Sequence, residues 1–376
     1  MKVLSIAIAF AILAVGLSLP ARAQNVSVSN AIDGIFDAFE SYSIVAIGDN
    51  HNVQQLGDFY IQLIQQPEFA RQVRNIVFEY GNAFYQDVID RYVNGEDVPF
   101  EELQRVWTPT FAYGPSPVAQ MYIDFYRAVR EINATLPEDE QLRVWLGDPP
   151  LNPDQPVMYT PDNPPPNRDE HFAGVVSRLI DQGEKALVII GAYHLVPTGF
   201  PFALPGEPGG PMIIGSPPQS GDASAPPVGA EPMPMPVVPD NTASVPLLPV
   251  DLGSNVRQLL DATYPDGRVF AITLFDGIAE QACAEEFDRI AETWDIPTLV
   301  SLRDTTLVDL LNRPDCRSRA ASILPPDYQP AWADALLYLG EAEDLIMSPF
   351  SPDDPEMSYL EWIDQATSGM QFPLNR

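Results

Sequence analysis

Two of the three histidines occupy matching places in two short motifs, Gly48-Asp49-Asn50-His51 and Gly191-Ala192-Tyr193-His194. Two more glycine-bearing turns lie between them and carry acids: Glu79-Tyr80-Gly81-Asn82 and Gly147-Asp148-Pro149-Pro150. A neutral imidazole takes a proton from water near pH 7 because its own pKa lies there. A carboxylate beside it fixes the tautomer and stabilises the imidazolium that forms. His51, Glu79, Asp148 and His194 therefore equip a chain for hydrolysis without a nucleophilic Ser or Cys, and no Gly-x-Ser-x-Gly elbow occurs. The same residue types suit a divalent ion. Two histidines and a carboxylate (His51, Glu79, His194) can hold Mn, Fe or Zn and acidify a bound water. Residue types alone do not choose between metal-dependent and metal-free chemistry.

The residues around these four are candidates for substrate contact: Asp49, Tyr80, Asn82, Arg168 and Tyr193. Each has a plainer role open to it. Asp49 and Asn82 stand where turn residues bond their own backbone. Arg168 either holds a carbonyl or carboxylate in the crevice or is a solvated charge at a helix start. The tyrosines stack on a substrate, ligate iron, or simply fill space. The third histidine, His171, in the first turn of the same helix, reads as a packing or surface residue.

The elements that must position these groups follow from hydrophobic period. Strands are expected at 43–47, 75–78, 142–146 and 186–190. Between them, helices are expected at 56–74 with a break near Pro67, at 83–92, and at 118–132, where Met121, Phe125, Ala128, Val129 and Ile132 share a face. A fourth runs from an N-cap at Asn167 to Ile180. After residue 250 come a helix at 256–264 and strands at 269–274, 298–302 and 335–339. This alternation predicts an α/β fold, a mostly parallel sheet flanked by helices on both faces. In such a sheet the carboxyl ends of the strands share one rim, and ligands bind there. The four turns should therefore meet in one crevice, within a single domain spanning 24–376.

Composition narrows the class of protein. Residues 1–23 read as a leader: Lys2, an apolar run from Val3 to Leu19, then Pro20-Ala21-Arg22-Ala23 with an Ala-x-Ala cleavage signature. Export to a periplasm or the medium is expected, with no stable membrane anchor. Removing the leader takes away Lys2 and Arg22 and no acid, so the mature chain is more negative than the formal −32 of the whole. Such a charge disfavours nucleic acid, whose binding rests on Lys and Arg, and leaves a small molecule or a peptide as the expected substrate. Residues 197–250 hold 15 prolines and no Lys or Arg, and predict a flexible insertion. The two cysteines, Cys283 and Cys316, predict a disulfide in an exported protein.

The paired Gly-x-x-His motifs at 48–51 and 191–194, with Glu79 between, resemble the superfamily of erythromycin-esterase-like proteins, ChaN-like haem-binding proteins and Tiki proteases. In the esterase branch the first motif reads Gly-Glu-x-His, and its His is the base that activates water; Asp49 stands here in place of that Glu. The resemblance implies His51 as base, Glu79 and His194 completing the site, and Asp148 supporting it. The Tiki branch implies a divalent-metal peptidase, and the ChaN branch implies haem. The expectation is an exported hydrolase of an ester or amide bond. The rival is a non-catalytic haem- or metal-binding protein of ChaN-like type.

Overall fold

The computed structural model describes residues 27–110, 114–115, 118–152, 166–195, 255–278, 280–303, 305–311, 313, 316 and 333–351. The expected leader and the proline-rich insertion lie outside the described residues. Apolar runs such as Ile44-Val45-Ala46-Ile47 bury both faces of a strand. Val45 and Ile47 join one hydrophobic core while Ile44 and Ala46 join another on the opposite side. Continuous apolar strands of this kind belong to parallel sheets covered on both faces.

The strands are β1 (Val28–Asn30), β2 (Ile44–Asp49), β3 (Asn75–Asn82), β4 (Pro109–Thr110), β5 (Gly114–Pro115), β6 (Arg143–Asp148), β7 (Ala186–Gly191), β8 (Val269–Leu274), β9 (Thr298–Ser301) and β10 (Ala335–Tyr338). Eight of them form one sheet in the order β1-β9-β10-β8-β2-β7-β3-β6, and β4 pairs with β5 in a small hairpin. From β10 to β6 all neighbours are parallel; β9 runs antiparallel to both β10 and β1. The chain is thus an α/β protein with a mostly parallel sheet.

The helices are α1 (Ala31–Ser41), α2 (Gln54–Ile64), α3 (Pro67–Gln72), α4 (Gln86–Val93), α5 (Phe100–Leu103), α6 (Gln120–Asn133), α7 (Arg168–Asp181), α8 (Val256–Thr263), α9 (Gln281–Ala291) and α10 (Thr306–Leu311). Helices α1 to α6 supply the large core on one face of the sheet, with Phe39, Phe59, Phe69 and Phe125 fully buried. Helices α7 and α8 cover the central strands on the other face. The expected break near Pro67 is real: Pro67 opens α3, where its missing N–H costs nothing. The first strand and helix, β1 and α1, and the helices α9 and α10 lie outside the expectations. Among the described residues no helix is long and apolar enough to cross a membrane.

Helices α2 and α6 both begin without a capping side chain, at Val53 and Ala119. Their exposed N–H groups need acceptors from elsewhere. Residues 346–349 provide them. Gln54 N donates to Ile346 O at 2.9 Å, Gln120 N to Pro349 O at 2.8 Å, and Met121 N to Ser348 Oγ at 3.1 Å. Ser348 N in turn donates to Asn52 O at 2.7 Å. This strap fastens the loop next to His51.

Cys283 on α9 and Cys316 are joined by a disulfide across 33 residues, and both are fully buried. Closing a loop of that length stabilises by about 3–4 kcal/mol in the chain-entropy model. Replacing both cysteines with Ser is expected to lower the unfolding free energy by at least that amount in urea. Dithiothreitol should move the wild-type midpoint and leave the variant's unchanged.

Candidate active site

The four glycine-bearing turns end on adjacent strands. Asp49 of β2 sits opposite Gly191 of β7, and Asn82 of β3 opposite Asp148 of β6. With β7 next to β3, the strand ends form one row along the rim in the order β2, β7, β3, β6. Gly147 and Gly81 leave no room for a side chain, since a Cβ there would overlap the Phe172 ring and the Leu146 side chain, and Gly48 and Gly191 are also tight. A Cβ on Gly48 would stand 3.0 Å from Ala192 Cα, a tight approach to backbone. A Cβ on Gly191 would meet His51 Cε1 at 3.0 Å and Glu79 Oε2 at 3.1 Å, so its bare backbone lets both side chains close over it.

One arm of the site is built on β2. Asp49 is almost fully buried, and its Oδ2 accepts from His51 Nδ1 at 2.8 Å. A carboxylate only accepts, so His51 carries its proton on Nδ1 and keeps Nε2 as the basic nitrogen. Tyr60 OH donates to Asp49 Oδ1 at 3.0 Å and Tyr122 OH to Oδ2 at 2.7 Å. Both tyrosines are buried, and burial pushes their pKa values well above the ordinary range, so they remain donors. Asn52 N donates to Tyr122 OH at 3.1 Å, with Asn52 at a positive φ of 67° where the loop reverses. Burial alone would lower the pKa of His51. The Asp49 hydrogen bond and charge outweigh it, with help from Glu79, and the net shift is upward.

The other arm is an ionic cluster. Glu79 Oε1 accepts from Arg168 Nη2 at 2.8 Å, and Oε2 accepts from Gly191 N–H. Arg168 Nε donates to Asp148 Oδ1 at 2.6 Å. His194 Nδ1 donates to Asp169 Oδ1 at 2.6 Å, while its Nε2 lies 3.6 Å from Glu79 Oε1, an ion-pair separation. Arg168 Nη1 approaches His194 Nε2 to 3.4 Å. Burial would raise the pKa of Glu79, but the charges of His194, His51 and Arg168 hold it far below the usual carboxylate range. Burial would lower that of His194, yet Asp169 and Glu79 lift it to about 9. Asp148 and Glu79, opposing the effect of burial, raise the already high pKa of Arg168 further.

His51, Glu79, Asp148 and His194 are thus brought together, and Arg168 stands among them. Three sequence-based expectations are corrected. Asp148, fully buried, pairs with Arg168 rather than holding a histidine; the histidines are held by Asp49 and Asp169. Asn82 does not face a substrate: it is fully buried and clamps Leu151, accepting from its N–H at 2.9 Å and donating to its carbonyl at 2.6 Å. Asp49 sits beneath His51 with both oxygens committed to protein donors, a positioning role rather than a substrate contact. Tyr80 stacks on Tyr122 with ring centres 3.6 Å apart and lies edge-on to His51. The side chain of Tyr193 lies outside the described residues. His171 Nδ1 is 2.9 Å from Gly147 O, bracing the rim. Sequence reasoning missed Asp169, Tyr60 and Tyr122. The one available signal was two tyrosines on apolar helix faces, since a buried hydroxyl seeks a partner.

A divalent ion on His51, Glu79 and His194 would need a lone pair on His194 Nε2 and one from Glu79. Each Glu79 oxygen accepts one N–H and keeps a further lone pair, but a permanently charged guanidinium nitrogen stands 3.4 Å from His194 Nε2. An ion there would be pressed against a fixed cation. Among the described residues no three His, Cys, Asp or Glu side chains are gathered as a metal site requires. As arranged, the donor set does not fit a divalent ion.

The raised pKa of His194 couples the site to stability. Its value is 6.5 unperturbed and about 9 in the folded chain. The stabilisation is therefore complete below pH 6.5 and is lost as pH rises through 9. Unfolding free energy measured in urea should fall across that window in the wild type, and His194→Gln should flatten the fall. No known family model matches the chain, and neither does any curated protein. Two solved structures are similar to it. One is the type III effector HopBA1, at 15% identity and TM-score 0.31, matching 46% of this chain and 78% of the effector. The other is a Bacillus cereus protein, at 11% identity and TM-score 0.46, matching 82% of this chain and 91% of that one.

Proposed function

We propose that the protein is an exported hydrolase of an ester or amide bond that works by metal-free acid–base chemistry. What supports this reading is the Asp49–His51 pair, in which Nδ1 holds the shared proton, on the same strand-end rim as His194, whose pKa Asp169 and Glu79 lift to about 9. His51 Nε2 removes a proton from water as the water oxygen attacks the substrate. Arg168 and His194 donate to the oxygen on which negative charge develops. The imidazolium of His194 then delivers its proton to the leaving oxygen or nitrogen. Asp49, fixed by two tyrosine hydroxyls, holds the His51 tautomer throughout. The leader-like first 23 residues and the disulfide both suit an oxidising compartment outside the cytoplasm.

A positioned general base contributes about 10²–10⁴-fold to rate. Against a panel of nitrophenyl esters and anilides, His51→Gln should lose turnover by about that factor while its circular dichroism stays native. Unchanged turnover in this variant rejects the role. Turnover should also survive dialysis against EDTA. The base must be neutral and the acid protonated, so the pH–rate profile should be bell-shaped. Its acid limb should lie above pH 6.5, and its alkaline limb near the His194 value of about 9.

A further inference from the structure

Along the strand-end rim the basic side chains are more exposed than three of the four acids. Glu79, Asp148 and Asp49 are at most 4% exposed, and each holds protein donors. The side chains of Arg168 and His194 are 20% and 19% exposed, and that of His51 is 30% exposed. His194 Nδ1 donates to Asp169 Oδ1 at 2.6 Å and its Nε2 lies 3.6 Å from Glu79 Oε1, and these two acids lift its pKa to about 9, so the ring is an imidazolium at neutral pH. Arg168 Nη1 and His194 Nε2 are then two charged donors only 3.4 Å apart. The more exposed acid, Asp169, lies on the opposite nitrogen of the ring. Arg168 is also the first residue of the 14-residue helix α7, whose positive end adds to the field at this point.

A neutral carbonyl gains from two modest donors and does not call for two adjacent full charges. A phosphoryl group carries negative charge before any bond breaks, and a guanidinium matches its oxygens. We propose that the ester cleaved here is a phosphate ester, with a non-bridging oxygen on Arg168 Nη1 and the leaving oxygen against His194 Nε2. This rests on the acid–base reading above and specifies its substrate class. The step balances. Water oxygen bonds to phosphorus and gives its proton to His51 Nε2. The ester P–O bond breaks with its electron pair on the leaving oxygen, which takes the proton from His194 Nε2. An alcohol and a phosphate are released, and solvent returns the proton from His51 to His194.

With three histidines in the chain, each ring can be assigned by NMR through single replacement. Titration of the full-length protein with inorganic phosphate should move the His194 and His51 signals saturably and leave that of His171 in place. Arg168→Gln should weaken this binding at least tenfold. Arg168→Lys, which keeps the charge, should bind with intermediate strength, and circular dichroism of both variants controls for folding. In parallel, turnover of p-nitrophenyl phosphate, bis(p-nitrophenyl) phosphate and p-nitrophenyl acetate is compared. Phosphate-ester cleavage that inorganic phosphate inhibits competitively supports the proposal. Acetate cleavage alone, with no phosphate-induced shift of His194, overturns it and leaves the hydrolase reading standing. Phosphate binding that depends on Arg168, without turnover of any of the three esters, supports the binding site and overturns the hydrolase reading.

Discussion

Glu79 is a carboxylate on the inner strand β3, with almost no access to water. An isolated charge in that position costs several kcal/mol even after relaxation, so its partners are obligatory. They come from three places: Arg168 at the start of α7, the Gly191 N–H at the end of β7, and His194 just beyond it. Meeting the needs of one buried acid thus pins a helix terminus and two strand ends to each other. Arg168 makes the same demand in the opposite sense and is answered by Asp148 at the end of β6. The rim holds its shape because each of these groups would be destabilising without the others.

The two histidines are held by the same device and tuned differently by what surrounds it. Each Nδ1 is bonded to an aspartate. Asp49, however, divides its charge among His51 and two tyrosine hydroxyls, while Asp169 is aided by Glu79 on the far side of the His194 ring. The first arrangement raises the imidazole pKa; the second carries it to about 9. Glu79 acts on both rings, so the two imidazoles differ in their closer partner, Asp49 for one and Asp169 for the other.

Much of this was legible in the chain. Alternating strand and helix patterns imply a parallel sheet, and a parallel sheet places its strand ends together, so two Gly-x-x-His motifs about 140 residues apart arrive side by side. Helix α1 carries the same kind of signal, with Asn30 as cap and Ile35 and Phe39 one turn apart on its buried face. Pairing was not legible. Asp169 reads as an acid favoured in the first turn of a helix, and nothing local connects it to a histidine 25 residues on. Asp148 reads as a partner for any nearby base, and only the placement of Arg168 decides which. Tyr60 and Tyr122 fit an apolar stripe so well that their hydroxyls go unnoticed. The reversal of β9 depends on where its neighbours lie, which no local signal carries.

The strap formed by residues 346–349 has a consequence for the order in which the molecule matures. Every strand of the sheet precedes these residues in the chain, yet the loop next to His51 and the starts of α2 and α6 stay unfastened until they arrive. A nascent polypeptide can therefore assemble its sheet while the loop that carries His51 is still loosely held. A chain interrupted after β10 would lack the acceptors for Gln54 N–H, Gln120 N–H and Met121 N–H, and its two helix starts would turn to water instead.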